Sequence, residues 1–442
     1  METELTRIAQ IAKERPDARI TSLARFINKE SLIESHRKMS GKKAAGIDKV
    51  TKEEYDSNVE ENIDSLLDRM KKQAYIPQSV KRVFIPKTGT NKMRPLGILA
   101  YEDKLVQDVL GGILNAVFEG DFLDCSFGFR PNRGCHDALK VVNKIINERK
   151  ISYVVDADIK NFFGNMDHEW IMKFLNHRIA DVNLERIIKR FLKSGIVENG
   201  EHIDTLVGSH QGGQISPILG NIYLHYVLDL WFEKVVRKKC KGDAYMVRYA
   251  DDSVFCFQFE HEAKAFYEQL RERLAKFNLE IAEDKTKIIK FGRFASEDCE
   301  ADGMTKPDTF DFLGFTHYCG KSAKGYFRVK RKTSRKKFIA STKKFKEWLR
   351  ENLTTPAPEV MRKLNIKLNG YYRYYGITDN IHSMSLFADE VRNRLFKMLN
   401  RRSQKGSMNW DKYALFLKKY PLARPKIYVN IYELRKELSY TV

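Results

Sequence analysis

The stretch MVRYADDSVFCF, Met246–Phe257, is an apolar, aromatic, strand-like run interrupted by two adjacent aspartates, Asp251 and Asp252. Taking two carboxylates out of water side by side is costly unless something positive offsets them. The run predicts a hairpin, with strands on either side of the pair. About ninety residues earlier, ISYVVDADIKNFF reads as a buried strand whose end carries Asp158. A strand end and a hairpin tip converge if their strands are neighbours in one sheet. The convergence then needs cations, and a pair of Mg²⁺ ions about 3.5–4 Å apart is the usual answer, able to activate a 3′-hydroxyl and stabilise a leaving pyrophosphate. Mg²⁺ is held by few carboxylates plus substrate phosphates, so two or three aspartates suffice. The plainer alternative is a turn with capped aspartates.

Composition narrows the partners. At about 150 residues per domain, 442 residues suggest two or three domains. A formal net charge of +21 suggests a polyanion, either nucleic acid or an acidic membrane surface. The 27 Phe and 20 Tyr favour nucleic acid, because aromatic faces stack on bases and sugars. No run of about 18 apolar residues predicts a membrane span, and METELTRIAQIAKERPDARI lacks the apolar core of a signal peptide. The six scattered cysteines form no CxxC pair, which argues against a zinc site or disulfide framework and fits a reducing cytoplasm. HExxH, GxxxxGK[ST] and Rossmann glycine signatures are missing, and GSHQGGQISP lacks the GxSxG spacing of a nucleophile elbow.

Along the chain, residues 1–75 read as helical, broken by SGKKAAGIDKVT (Ser40–Thr51), with a helix cap at Thr51. SVKRVFIPK alternates like a strand, and TGTNKMRPLG reads as a turn and a second strand. YEDKLVQDVLGGILNAVFEGDF is a helix with an apolar stripe through Leu105, Val109, Ile113 and Val117; further helices fill 168–194, and HEAKAFYEQLRERLAKFNLEI is amphipathic. FDFLGFTHY reads as one short strand. Residues 321–350 hold 13 Lys or Arg against one acid, Glu347, and the remainder to about 400 reads as helices with LNGYYRYYG (Leu368–Gly376) between them. Interleaved Tyr326, Phe327, Phe338, Phe345 and Trp348 predict an apolar face packed inward and a basic face on phosphate; a merely solvated charge run is the alternative.

The motifs FIPKTGTNKMRPLGI, SFGFRPNRGCHDAL, VVDADIKNFFGNMDH, QGGQISPILGNIYL, YADD, LEIAEDKTK and FDFLGF occur in this order. Together they resemble the reverse transcriptases encoded by group II introns and their close bacterial relatives, from about residue 20 to near 430. The resemblance implies an α+β, right-hand polymerase fold: a helical N-terminal extension and fingertip region over 1–75, fingers and a palm with an antiparallel sheet over 76–320, and a basic, helical thumb or maturase-like domain over 321–442. It implies RNA-directed DNA polymerisation with two Mg²⁺ ions, Mn²⁺ being a substitute, on an RNA template with a DNA or RNA primer and dNTPs, and binding of structured intron RNA.

Residue by residue, the resemblance makes Asp158, Asp251 and Asp252 the metal ligands, and Asp156 structural. Lys87 and Arg94 would reach the incoming triphosphate, a solvated hairpin being the alternative. Phe163 would stack beneath the sugar and exclude a 2′-hydroxyl while Phe162 points into the core, although the two are exchangeable. Gln211, with Gly212 and Gly213 allowing close backbone approach, would line the nucleotide and template pocket, and His210 stands where the family commonly has proline. Lys285 would sit by the leaving pyrophosphate as general acid, with Lys287 a rival and an ordinary surface lysine the alternative for either. Leu313 and Gly314, in FLGF, would form the primer grip or else ordinary core.

Ser216-Pro217 after QGG departs from diversity-generating retroelement enzymes, and the retron signature is not found after YADD. No histidine- and cysteine-rich endonuclease module follows, which implies no endonuclease-dependent mobility for this chain alone. Two alternatives stay open: an RNA-binding splicing cofactor without chemistry of its own, or a free-standing enzyme domesticated for phage defence or DNA repair. The sequence is silent on oligomeric state.

Overall fold

A computed structural model describes residues 2–86, 93–198, 200–204, 207–209, 212–301, 303–402, 406 and 408–435. Its strands, in chain order, are β1 (Val80–Pro86), β2 (Met93–Ile98), β3 (Tyr153–Asp158), β4 (Ile196–Glu198), β5 (Glu201–Ile203), β6 (Ala244–Tyr249), β7 (Asp252–Phe257), β8 (Lys287–Lys290), β9 (Phe310–Phe312), β10 (Phe315–Lys321) and β11 (Phe327–Thr333). They form three sheets, ordered β2-β1-β4-β5, β6-β7-β3-β8 and β11-β10-β9.

The four-stranded sheet β6-β7-β3-β8 is antiparallel throughout and buried on both faces. Side chains alternate across a strand, and each face belongs to a different core. Val155, Ala157, Met246, Phe255 and Phe257 join one cluster, with the buried helix Tyr101–Phe118 and the helices before it. Val154, Val247, Val254 and Cys256 join the other, with β9–β11 and the C-terminal helices. Asp156, Asp158 and Asp252 share the parity of Val154 and Val254, so the alternation puts all three acids on this second face.

The N-terminal region carries helices at Glu2–Glu14, Lys29–Lys38, Lys52–Asp56 and Val59–Lys71, with a loop over 40–51 as expected, and the Thr51 side chain accepts the Glu54 N–H to cap Lys52–Asp56. The third sheet differs from the sequence reading. FDFLGFTHY is two strands, not one, because Leu313 (φ +50°) and Gly314 (φ +81°) make a two-residue hairpin turn. Two positive φ values in succession are the mark of a type I′ turn, whose twist matches its strands. The basic segment after 320 also begins as sheet: β10 and β11 pair in register from Phe315↔Thr333 to Lys321↔Phe327, across the expected domain boundary.

Helices follow at Arg335–Glu351, Ala357–Tyr375, Ile381–Asn400 and Trp410–Lys419. LNGYYRYYG does not separate two helices; all but its last residue lie within Ala357–Tyr375. Tyr371, Tyr372 and Tyr375 are buried, and Tyr371 stacks on Phe387 with centroids 3.7 Å apart. On the helix Arg335–Glu351, Phe338, Phe345 and Trp348 pack against the core while Lys336, Lys337, Lys343, Lys344 and Lys346 face solvent. Among the described residues, no helix is long and apolar enough to cross a membrane.

Candidate active site

The two carboxylate clusters of the sequence converge through strand pairing. β3 lies beside β7 with Asp158 directly opposite Asp252. β6 closes on β7 with Tyr249 opposite Asp252, leaving Ala250 and Asp251 as a two-residue turn. Ala250 has φ +57°, in the left-handed region that costs an L-residue about 1–2 kcal/mol. The glycine of SFGFRP explains part of how the turn is held: Gly128 abuts it so closely that a Cβ there would lie 2.4 Å from the Ala250 nitrogen. From the opposite side the β9–β10 turn arrives. The Leu313 N–H donates to the Asp252 carboxyl, and the Tyr374 hydroxyl donates to the Leu313 carbonyl at 2.8 Å.

Electrostatically the cluster is under load. Burial, then the neighbouring Asp156, Asp251 and Asp158, push Asp252 up to about 8. Asp252 keeps some solvent contact in the cleft, and protein encloses its carboxyl on the other sides. Asp156 rises to about 7, first by burial and then by repulsion from Asp158 and Asp311, with Lys287 opposing. Asp251 is raised by burial and by Asp158, against the pull of Arg94 and Arg248. The Lys285 ammonium pairs with Asp158, which raises its own pKa.

Hard oxygen donors, few in number and mutually destabilised without positive charge, suit a hard divalent cation. Asp158, Asp251 and Asp252 supply such a set. Among the described residues, however, no three acids, histidines or cysteines are grouped closely enough to hold a metal ion as they stand. The Lys285 ammonium engages Asp158. The donor chemistry fits; the side chains must reorient to use it.

A cleft of about 360 Å³ opens on Asp252, lined by Arg94, Asp311, Leu313, Gly314 and Lys337 among others. The expected triphosphate arginine and primer-grip residues are therefore beside the acids. Phe163 lies in an adjoining-strand pocket of about 290 Å³ with Arg82, Phe84, Pro95 and Asn161. It is half-buried, whereas Phe162 is buried against Tyr223, and both rings close on Gly220. Gly212 (φ +113°) backs onto the fingertip strand, where a Cβ would lie 2.6 Å from the Gly97 carbonyl. Lys87, His210 and Gln211 lie outside the described residues.

Sequence reasoning passed over Asp311 and Lys337 as cleft residues. Asp311 carried a signal, because it alternates with the buried Phe310 and Phe312 and must project the other way. Lys337 carried none that set it apart from its basic neighbours.

Residues 85–317 match the family model described as reverse transcriptase (RNA-dependent DNA polymerase), and residues 340–416 match that of the group II intron maturase-specific domain. The group II intron-encoded protein LtrA of Lactococcus lactis subsp. cremoris is 31% identical over 304 residues, covering 66% of this chain and 50% of that protein. Protein YkfC of Escherichia coli is 29% identical over 316 residues, 64% of this chain and 83% of that one. An uncharacterized 91 kDa protein in the cob intron of Schizosaccharomyces pombe is 34% identical over 173 residues, 39% and 21% respectively. The chain thus spans about half the length of the Lactococcus protein.

Proposed function

The chain belongs to the reverse transcriptase (RNA-dependent DNA polymerase) family, and from that premise we propose that it extends a primer 3′-hydroxyl with dNTPs along an RNA template. The observation that carries the proposal is the register of Asp158 opposite Asp252 with Asp251 in the adjoining turn. Asp158, Asp251 and Asp252 would hold two divalent ions, Mg²⁺ or Mn²⁺. When bound, these supply the positive charge that activates the hydroxyl and stabilises the leaving pyrophosphate.

The chain's own residues divide the rest of the work. Arg94 presents a forked guanidinium in the cleft with Asp252, suited to triphosphate oxygens, the role the resemblance also gives to Lys87. Phe163 places an aromatic edge where a ribose 2′-hydroxyl would sit. Gln211 and Gly212 border the nucleotide and template. The Leu313-Gly314 turn holds the primer end next to Asp252, and Lys285 keeps a proton ready beside Asp158 for the departing pyrophosphate. Asp156, enclosed and raised to about 7, is structural in this reading and is protonated below neutral pH.

In this reading, residues 1–75 extend the fingers, which run with the palm from 76. The thumb starts with the helix at Arg335, since the β10–β11 hairpin continues through residue 320. The exposed lysines of that helix lie on a nucleic-acid backbone. If six to ten phosphates are neutralised, affinity falls about 10³–10⁵-fold between 50 and 200 mM salt.

Primer extension by the double variant Asp251→Ala/Asp252→Ala tests the assignment. Loss of synthesis supports it, and undiminished synthesis overturns it. The match of residues 340–416 to a maturase-specific domain favours a second role, helping a structured intron RNA to splice. If the aspartate variant still promotes splicing of an intron flanking the gene, the two activities are separable. A gene without such an intron points instead to a free-standing role in defence or repair.

A further inference from the structure

Beneath the catalytic turn lies a fully buried ion pair to which the chemistry above assigns nothing. Arg248 and Asp229 are both 0% exposed. The guanidinium grips both carboxylate oxygens, Nε at 2.7 Å and Nη2 at 2.6 Å. Nη2 also donates to the Ser126 hydroxyl at 2.8 Å. Nη1 donates to the Asn221 side chain at 3.1 Å and to the Ala250 carbonyl at 2.9 Å. Arginine has five N–H donors, and all five are used.

The acceptors come from three separate segments: the continuous helical stretch Ser216–Asp229, the loop at Ser126 and the turn at Ala250. Asp229 ends a π-helical turn, His225–Asp229, and such turns are frequent at functional sites. Asn221 lies about two turns earlier on the same helical stretch, in Ser216–Leu224. Ser126 belongs to the SFGFRP loop, and Ala250 to the turn that carries Asp251. The loop is tied in again by its backbone: Arg248 N–H donates to the Cys125 carbonyl at 2.7 Å, and Phe127 N–H donates to the Arg248 carbonyl at 2.9 Å. Asn221 in turn donates to the Gly128 carbonyl at 2.8 Å, on the glycine against which Ala250 rests.

Stability alone is a poor account of this arrangement, because a buried ion pair is often no better than apolar residues of the same volume. Its geometry has a direct consequence instead. The Ala250 carbonyl belongs to the peptide plane that leads into Asp251, so fixing that oxygen fixes the direction in which Asp251 departs. We propose that Arg248, held by Asp229, Asn221 and Ser126, is a positioning residue that sets the left-handed catalytic turn and thereby the divalent-cation affinity of Asp251 and Asp252. The inference rests on the polymerase reading for the purpose of the site, not for the geometry. Arg248 also lies close enough to favour the ionised form of Asp251.

The test compares Arg248→Lys with Arg178→Lys in the full chain. Arg178 is another buried arginine, paired with Asp121 at 2.7 Å and bonded to the Ala12 and Pro16 carbonyls. Mn²⁺ affinity is read from the electron paramagnetic resonance signal of free ion, and primer extension is followed at a temperature where all proteins are folded. Lysine keeps the charge of Arg248 but not the fork. Arg248→Lys should weaken Mn²⁺ binding about 10–100-fold and lower kcat with little change in KM for dNTP, while Arg178→Lys loses stability alone. Wild-type Mn²⁺ affinity in folded Arg248→Lys overturns the inference, as does an equal loss in Arg178→Lys. If Arg248→Lys does not fold, Asn221→Ala, which keeps the ion pair, should still weaken Mn²⁺ binding several-fold, and an unchanged titration is then decisive against it. Wild-type protein that binds Mn²⁺ without extending primers overturns the polymerase reading and leaves this comparison intact. Wild-type protein that binds no Mn²⁺ overturns both.

Discussion

Replacing Gly128 with alanine should disable the active site with little loss of fold. The added methyl carbon would lie 2.4 Å from the Ala250 nitrogen, 3.0 Å from the Tyr249 carbonyl carbon and 3.2 Å from the Ala250 Cα. Ordinary contact begins at 3.4 Å, so the two backbones must part by about 1 Å. Retreat of Gly128 is opposed by the Asn221 bond to its carbonyl and by the Phe127–Arg248 backbone bond. Most of the movement therefore falls on the turn that carries Asp251. A 1 Å misplacement of reacting groups costs about 10²-fold in rate, whereas overpacking costs about 1–3 kcal/mol of stability. Gly128→Ala should accordingly extend primers about 10²-fold more slowly while melting a few degrees below wild type. Gly111→Ala is the matched control, since a Cβ there meets nothing within 4 Å on the helix Tyr101–Phe118. It should keep full activity and gain up to about 1 kcal/mol. Folded Gly128→Ala working within threefold of wild type would refute the argument that this contact sets the turn.

Phe163→Ala should raise incorporation of rNTP relative to dNTP in single-nucleotide extension, because it removes the ring that lines the pocket beside Asn161; an unchanged ratio removes Phe163 as the gate. Asp252 binds its proton up to about pH 8 when folded but only to about its ordinary 3.8 when unfolded, so in chelator its contribution to stability is full below that lower value and is lost as pH rises through about 8. Melting curves in EDTA from pH 5.5 to 8 should fall more steeply for wild type than for Asp252→Asn, with Mg²⁺ restoring the wild type, and parallel curves contradict the linkage. Lys285→Met should tighten Mn²⁺ binding about two- to five-fold, the worth of a partly exposed ion pair, while slowing extension; weaker binding would show that Lys285 supports the metal site instead of competing with it.

The acids were legible because a period of two is hard to mistake. Asp156 and Asp158 alternate with Val155 and Ala157, and Asp252 opens a run whose alternate residues enter opposite cores. The helix Tyr101–Phe118 announced itself by its stripe. What stayed hidden depended on partners distant in the chain. Arg248 looks like an ordinary polar residue in a strand, and only the fold brings Asp229, Asn221 and Ser126 around it. The β9–β10 hairpin was missed because leucine seldom occupies positive φ, so LG lacks the turn signal that NG or DG gives. LNGYYRYYG read as a break because of its glycine and crowded rings. The helix persists because Leu364, Leu368, Tyr371, Tyr372 and Tyr375 share one buried stripe, and burial of that stripe outweighs the roughly 1 kcal/mol cost of Gly370.

The load on the acids also explains why the site draws charge from so many elements. Asp156, Asp158 and Asp252 lie on one face of a sheet that is buried on both sides, so water cannot neutralise them fully. Lys285 answers Asp158 from the segment before β8, Arg94 answers Asp251 from the fingertip hairpin, and Lys287 answers Asp156 from β8 itself. Two of these cations are the groups expected to serve the nucleotide. When Arg94 turns to a triphosphate and Lys285 to a pyrophosphate, Asp251 and Asp158 lose the charge that balances them. On the proposed polymerase reading, Asp158, Asp251 and Asp252 would then be balanced by divalent ions bound with the triphosphate. Nucleotide and metal would therefore enter the same balance of charge, which is why the proposed reading ties binding of one to binding of the other.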